Sequence, residues 1–112
     1  MFAYMQAITV GVNQSVTIGS NQSTNIGKDE SRAVSGNRTT QIGKDDALSV
    51  AKNLIVDAGD SVTIKTGSAS ITMKKDGTII IKGKDITVQG SGKINVKADG
   101  DIIMKGSKIT QN

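Results

Sequence analysis

The stretch from Val10 to Gly43 reads VGVNQSVTIGSNQSTNIGKDESRAVSGNRTTQIG. Within it an apolar residue followed by glycine recurs every eight residues, with one interruption at Val34-Ser35. The recurring pairs are Val10-Gly11, Ile18-Gly19, Ile26-Gly27 and Ile42-Gly43. A period of eight matches neither the turn of a helix nor the simple alternation of one long strand. It therefore predicts a short structural unit that is stacked many times.

The composition is unusual for a compact domain. The chain has 112 residues, only two aromatic side chains (Phe2 and Tyr4), and no Trp, Pro, Cys or His. Any core formed after residue 4 must therefore be aliphatic, although aromatic side chains normally supply much of the area that a core buries. The lack of cysteine excludes disulfides and thiol chemistry.

The charges are interspersed along the chain, and their net value is +4. Nucleic-acid-binding proteins usually concentrate basic residues on one surface and add aromatic side chains for base stacking. Neither feature occurs in this sequence, so no nucleic-acid partner is predicted. The lysines are interpreted as a solvated face that discourages edge-to-edge aggregation.

Apolar residues occur in pairs two positions apart, such as Val16 and Ile18. This spacing puts both side chains on the same face of a strand. After Val50 the apolar pair moves two positions earlier in the eight-residue unit and becomes more uniformly Ile and Val. The predicted inward residues are Ile8, Val10, Val16, Ile18, Ile26, Val34, Ile42, Leu48, Val50, Leu54, Val56, Val62, Ile64, Ile71, Met73, Ile79, Ile81, Ile86, Val88, Ile94 and Val96.

Glycine, asparagine and aspartate recur after the apolar pairs. These residues tolerate positive φ better than others, so each eight-residue unit predicts a strand of about five residues followed by a corner. The predicted corner glycines are Gly11, Gly19, Gly27, Gly43, Gly59, Gly67 and Gly83. The apolar pairs between residues 71 and 81 are one residue out of step, which predicts a bulge or a nine-residue step. No segment has helical periodicity with capping residues, so no helix is predicted.

Two architectures fit a stacked eight-residue unit: a solenoid of one chain, and three chains coiled around a shared axis. Three chains are favoured because they bury more area and leave no long free edge. Inward hydroxyls such as those of Thr24, Thr40 and Thr72 could then bond to their symmetry mates, whereas a lone buried hydroxyl destabilises the fold. The predicted fold is therefore all-β: a triple-stranded β-helix, formed as an intertwined homotrimeric prism of octapeptide repeats.

The runs Val16–Ser23, Asn25–Asp29 and Gln41–Asp45 resemble the needle region of the valine-glycine repeat spike protein (VgrG) of bacterial type VI secretion. The later run from Asp60 to Met104 also resembles that needle, and the chain is similar to the central spike needle of contractile-tailed phages. The resemblance covers residues 8–110 as the β-helix needle. It leaves residues 1–7 as a linker or as a start added to a fragment, and 111–112 as a polar C-terminal end.

The resemblance implies a structural needle of a contractile spike that is driven through a target membrane. Its C-terminal apex would present a tip protein or an effector, for which Ile102, Met104 and Ile109 are the candidate contacts. It also implies assembly in the cytoplasm and secretion through the contractile apparatus without a signal peptide. The alternative is a phage tail spike or trimeric adhesin stalk with a purely structural or receptor-presenting role.

Catalytic and cofactor chemistry is not predicted. General acid–base catalysis needs a histidine or a paired carboxylate, and the close pairs Asp57/Asp60 and Asp99/Asp101 are interpreted as corner residues. No metal site and no cofactor are predicted, since the His-x-His metal motif of some phage spikes cannot occur without histidine. Arg32 has the phase of an inward residue. It either faces solvent or, in three copies, lines the axis around an anion or water.

Overall fold

The computed structural model describes residues 5–112, and these contain no helix. The regular secondary structure is one antiparallel sheet of three strands in the order β1-β2-β3. Strand β1 spans Ser61–Thr66, β2 spans Ala69–Lys74 and β3 spans Ile79–Lys82. The prediction that the chain is all-β is therefore confirmed for the residues described. The predicted linker at 1–7 falls partly on residues 1–4, outside that range.

The sheet has one apolar face and one polar face, because successive side chains of a strand point to opposite sides. The register pairs Val62 with Met73 and Ile64 with Ile71, and it pairs Ile71 and Met73 in turn with Ile81 and Ile79. All six lie on one face, which we call the apolar face of the sheet. Three predicted inward pairs therefore lie side by side.

A two-residue turn at Gly67-Ser68 joins β1 to β2. Gly67 has φ +54, and no residue other than glycine has positive φ in the described chain. Positive φ at only the first central residue is the pattern of a type II′ hairpin turn. This hairpin explains the nine-residue step: Thr66 pairs directly with Ala69, so even-numbered residues of β1 face odd-numbered residues of β2. The change of phase between Ile64 and Ile71 is therefore a chain reversal.

The connection from β2 to β3 is a three-residue loop. The Gly77 N–H donates to the Lys74 carbonyl at 3.0 Å, and the Lys74 N–H donates to the Thr78 carbonyl at 2.9 Å. Gly77 has φ +95, the left-handed conformation that closes a type I turn in such hairpins. The Thr78 N–H also donates to Oδ1 of Asp76 at 2.9 Å, which fixes the loop locally.

The chain divides into two compact units, Met1–Ala47 and Leu48–Asn112. In the described part of the first unit, bends lie at residues 11–12, 19–20, 27–28, 35–36 and 43–44. In the second unit they lie at 51–52 and 59–60 before the sheet, and at 84–85, 91–92 and 99–100 after it. Within residues 5–112 no strand lies outside 61–82, so the predicted five-residue strands throughout 8–110 are found in the single chain only in the sheet.

Tolerance of positive φ was the predicted reason for glycine at the corners, and this reason is wrong at most of these positions. Among the residues described, positive φ occurs only at Gly67 and Gly77. The bend at 51–52 is formed by Ala51 and Lys52, so these bends do not need the conformational freedom of glycine. A Cβ added at Gly11, Gly19, Gly27, Gly43 or Gly59 would meet nothing within 4 Å in this chain.

Candidate functional site

The apolar face of the sheet is open. Its rows run Val62–Met73–Ile79 and Ile64–Ile71–Ile81, and neighbouring strands in a sheet lie about 4.8 Å apart. Val62 is half-buried, whereas the other five side chains are between 43% and 63% exposed. A contiguous set of exposed aliphatic side chains of this kind marks an interaction surface.

A groove of about 400 Å³ lies over one end of this face. Ile64, Ile71 and Ile81 line it from the sheet, and Ile86 lines it from the segment that follows β3. Gly83 makes room for that segment, because a Cβ at residue 83 would lie 3.4 Å from Cγ1 of Ile86. Among the predicted corner glycines, Gly83 is the one at which a residue of the same chain, Ile86, approaches the position of the missing side chain.

The remaining predicted inward residues are also exposed. No residue in the range 5–112 is buried, and no member of the predicted core other than Val62 is less than 43% exposed. The candidate tip residues Ile102, Met104 and Ile109 are likewise exposed, at 53% to 69%. The single chain therefore brings together only the predicted residues of the sheet and its groove, and leaves their apolar surface uncovered.

Within residues 5–112, two ion pairs lie on the surface. Nη2 of Arg32 donates to Oε1 of Glu30 at 3.1 Å, and the two side chains are 60% and 55% exposed. Nζ of Lys75 lies 3.4 Å from Oδ1 of Asp60, and the Lys75 N–H also donates to the Asp60 carbonyl at 3.0 Å. The phase of Arg32 did not predict this ion pair, although Glu30, two positions away, shares its side of an extended chain.

The pKa of Asp76 is perturbed by a hydrogen bond within its own turn. The hydrogen bond from the Thr78 N–H lowers its pKa, with a smaller contribution from the Thr78 side chain. This bond stabilises the ionised form of a solvent-exposed carboxylate in a turn, so it indicates a structural role.

No group of three or more potential metal-ligating side chains occurs within residues 5–112. The same part of the chain contains no helix that is long and apolar enough to cross a membrane. The apolar face of the sheet can bind another polypeptide by hydrophobic contact, and the edge strands β1 and β3 can do so by strand pairing.

An all-β chain with an uncovered apolar face is an assembly domain. The chain belongs to the family of the bacteriophage T4 gp5 C-terminal trimerisation domain, whose sequence profile matches residues 4–73. Membership of a trimerisation family supports self-association in threes and a structural role in a spike.

A second comparison connects the chain with secretion. Over 35 residues, which are 31% of this chain, it is 63% identical to the type VI secretion system spike protein VgrG1b of Pseudomonas aeruginosa. The matched segment covers 5% of the length of that protein. The resemblance predicted from the eight-residue pattern, to VgrG and to the phage spike, is therefore confirmed.

Proposed function

We propose that this chain is the needle of a contractile secretion spike, in which three copies form a triple-stranded β-helix from octapeptide repeats. The needle works mechanically: it transmits axial force and is driven through a target membrane. Under this proposal residues 8–110 form the prism, the predicted inward residues face its axis, and the spike leaves the cell through the contractile apparatus after assembly in the cytoplasm.

The exposed area of the single chain is the observation that carries the proposal. The chain exposes 12637 Å². A folded monomer of 11.6 kDa would expose about 5,800 Å², and two separate bodies of half that mass about 7,000 Å² together. Several thousand Å² per chain are therefore available for burial between chains, which is the range of obligate assemblies.

The backbone supports the same arrangement. In residues 5–112 the hydrogen bonds between backbone groups lie within the sheet and at its turns, between residues 60 and 82. Backbone groups that become buried need partners. Strands of neighbouring chains would supply those partners along the rest of the prism. The bend glycines, beside which a Cβ has free space in one chain, would leave room for those neighbours.

The native mass tests the assembly. We expect light scattering to give about 35 kDa, three times the 11.6 kDa of one chain. We also expect the assembly to survive SDS until it is heated, because a closed hydrogen-bonded prism opens slowly. A mass of one chain at all accessible concentrations would contradict the proposal.

We also propose that the C-terminal end presents a tip protein or an effector through Ile102, Met104 and Ile109. Their exposure in the single chain supports this role. Deletion of residues 107–112 is expected to abolish capture of the cargo in a pull-down while the native mass stays that of a trimer. Retention of the cargo by the deletion would count against the proposal. Failure of the undeleted chain to capture any cargo would instead favour the alternative of a phage spike or adhesin stalk without cargo.

A further inference from the structure

The polar face of the three-stranded sheet is basic. It is the side opposite the apolar face, and it contains three lysines, four hydroxyl side chains, one isoleucine and no carboxylate. Its members are Ser61, Thr63, Lys65, Ser70, Thr72, Lys74, Ile80 and Lys82. Ser70, Thr72 and Ile80 are half-buried, and the lysines are exposed.

The strand register arranges the cations around hydroxyl groups. Lys65 lies opposite Ser70, which in turn lies opposite Lys82, so one row crosses all three strands. Two strand spacings separate the backbones of the two lysines by about 10 Å. Lys74 lies opposite Ser61 in another row. Each row therefore presents ammonium and hydroxyl donors together, and both bind phosphate oxygens.

Asp60 and Asp76 next to the sheet have partners elsewhere, whereas Asp85 lines the groove together with Lys65 and Lys82 but forms no ion pair with them. Asp60 pairs with Lys75, and Asp76 accepts the Thr78 N–H within its own turn. Within residues 5–112, no carboxylate lies within ion-pair distance of Lys65, Lys74 or Lys82. The positive charge of this face is thus not neutralised by the chain itself.

The same arrangement continues in the sequence after the sheet. Lysine directly follows five of the six apolar pairs from Val62 onward, at Lys65, Lys74, Lys82, Lys97 and Lys105, and Gln89 is the exception. Before residue 60 that position holds Gly, Ser, Ala or Asp. A residue next to an inward side chain points outward in an extended chain. The second unit therefore has an outward row of lysines that the first unit does not have.

We propose that this basic face binds the phosphate groups of anionic phospholipid headgroups. Flat arrays of lysine near a membrane are attracted by its negative surface potential, and each lysine raises binding about fivefold. Nucleic acid fits less well because residues 5–112 contain no aromatic side chain on which a base could stack. This contact deepens the proposed passage through a membrane, since it would hold the needle against the bilayer surface.

Sedimentation with lipid vesicles tests the proposal. The 112-residue chain is mixed with vesicles of phosphatidylcholine alone and with vesicles in which phosphatidylglycerol replaces part of it. We expect binding only to the anionic vesicles. The variant K65Q/K74Q/K82Q should bind them about 100-fold more weakly, and salt near 1 M, where the Debye length is about 3 Å, should release the wild type.

The matched control is K28Q/K44Q/K52Q, which removes the same charge from the bends at 27–28, 43–44 and 51–52. Its loss of binding free energy should be less than half of the loss caused by K65Q/K74Q/K82Q. Equal losses by the two variants would overturn the proposal, since net charge alone would then explain binding. Equal binding of phosphatidylcholine, or tighter binding of duplex DNA than of anionic vesicles, would overturn it as well.

The native mass of each variant, measured on the same samples, separates this proposal from the assembly. If the wild type is a trimer but does not bind anionic vesicles, the proposed lipid contact is wrong and the proposed needle is unaffected. K65R/K74R/K82R guards against a folding defect in the glutamine variant, because it keeps the charges and should bind like wild type. Loss of binding by this arginine variant would contradict a contact made by positive charge.

Discussion

At the scale of single residues, the turn at Gly67 makes the strictest demand on the sequence. Its φ of +54 is a conformation in which other L-residues are strained by about 1–2 kcal/mol. We expect Gly67→Ala to lower the free energy of unfolding by about that amount per chain. Ser68→Ala is the matched control, because its φ is not positive, and it should cost less than about 0.5 kcal/mol. Equal small effects in urea unfolding would contradict the assigned turn.

Asp76 makes the second hairpin sensitive to acid. The Thr78 N–H lowers the pKa of Asp76 in the folded state, so the folded chain binds that proton less readily than the unfolded chain. The contribution to stability is therefore complete above the ordinary value of 3.8 and is lost as pH falls through the lowered folded-state pKa.

The measurement is the difference in thermal midpoint between wild type and Asp76→Asn, followed from neutral pH to below pH 3.8. We expect the wild type to lose its advantage over the variant in the acid range, because the asparagine cannot titrate. The control is Asp85→Asn, a carboxylate outside this turn. A constant difference between wild type and Asp76→Asn across this range would rule out the titration.

At the scale of elements, the apolar pairs predicted which residues share the apolar face but not the direction of the chain. Alternation of apolar and polar residues is the same in parallel and antiparallel strands. The turns determine the chain direction, because Gly67-Ser68 and Asp76-Gly77 are hairpin signals. The nine-residue step between Ile64 and Met73 follows from the two-residue loop, which pairs even-numbered residues of β1 with odd-numbered residues of β2. The basic face could not be predicted from the sequence, because only the strand register brings lysines of three strands together.

Substitutions of two isoleucines on opposite faces of the sheet distinguish a single chain from the assembly. Ile80 is half-buried on the polar face, whereas Ile71 is 43% exposed on the apolar face. A chain that acts alone would therefore lose more stability from Ile80→Thr. If the apolar face is the interior of a trimer, Ile71→Thr should cost more, about 1–3 kcal/mol per chain.

The two substitutions remove the same atoms and add the same hydroxyl, so each serves as the control for the other. Thermal unfolding of both variants at equal chain concentration gives the ranking. A larger loss for Ile80→Thr would mean that the apolar face stays in solvent and would contradict its proposed place in the core.

At the scale of the whole molecule, the area that one chain exposes implies that folding and association are one process. A chain whose apolar side chains remain about half exposed gains little hydrophobic stabilisation by itself, and in the proposed trimer three chains together would gain most of it. Folding from three separate chains depends on the square of the chain concentration at the midpoint. A tenfold dilution should therefore lower the melting temperature by about 4 °C for an assembly of this size.

Reversible melting at a series of concentrations measures this dependence. A preformed monomeric fold would melt at the same temperature at every concentration, and that result would contradict coupled folding and assembly. Covalent connection of three copies supplies the control: the same sequence, once tethered, should lose the concentration dependence and melt at a higher temperature than dilute separate chains. The comparison isolates the entropy of bringing three chains together, because the contacts in the folded prism are unchanged.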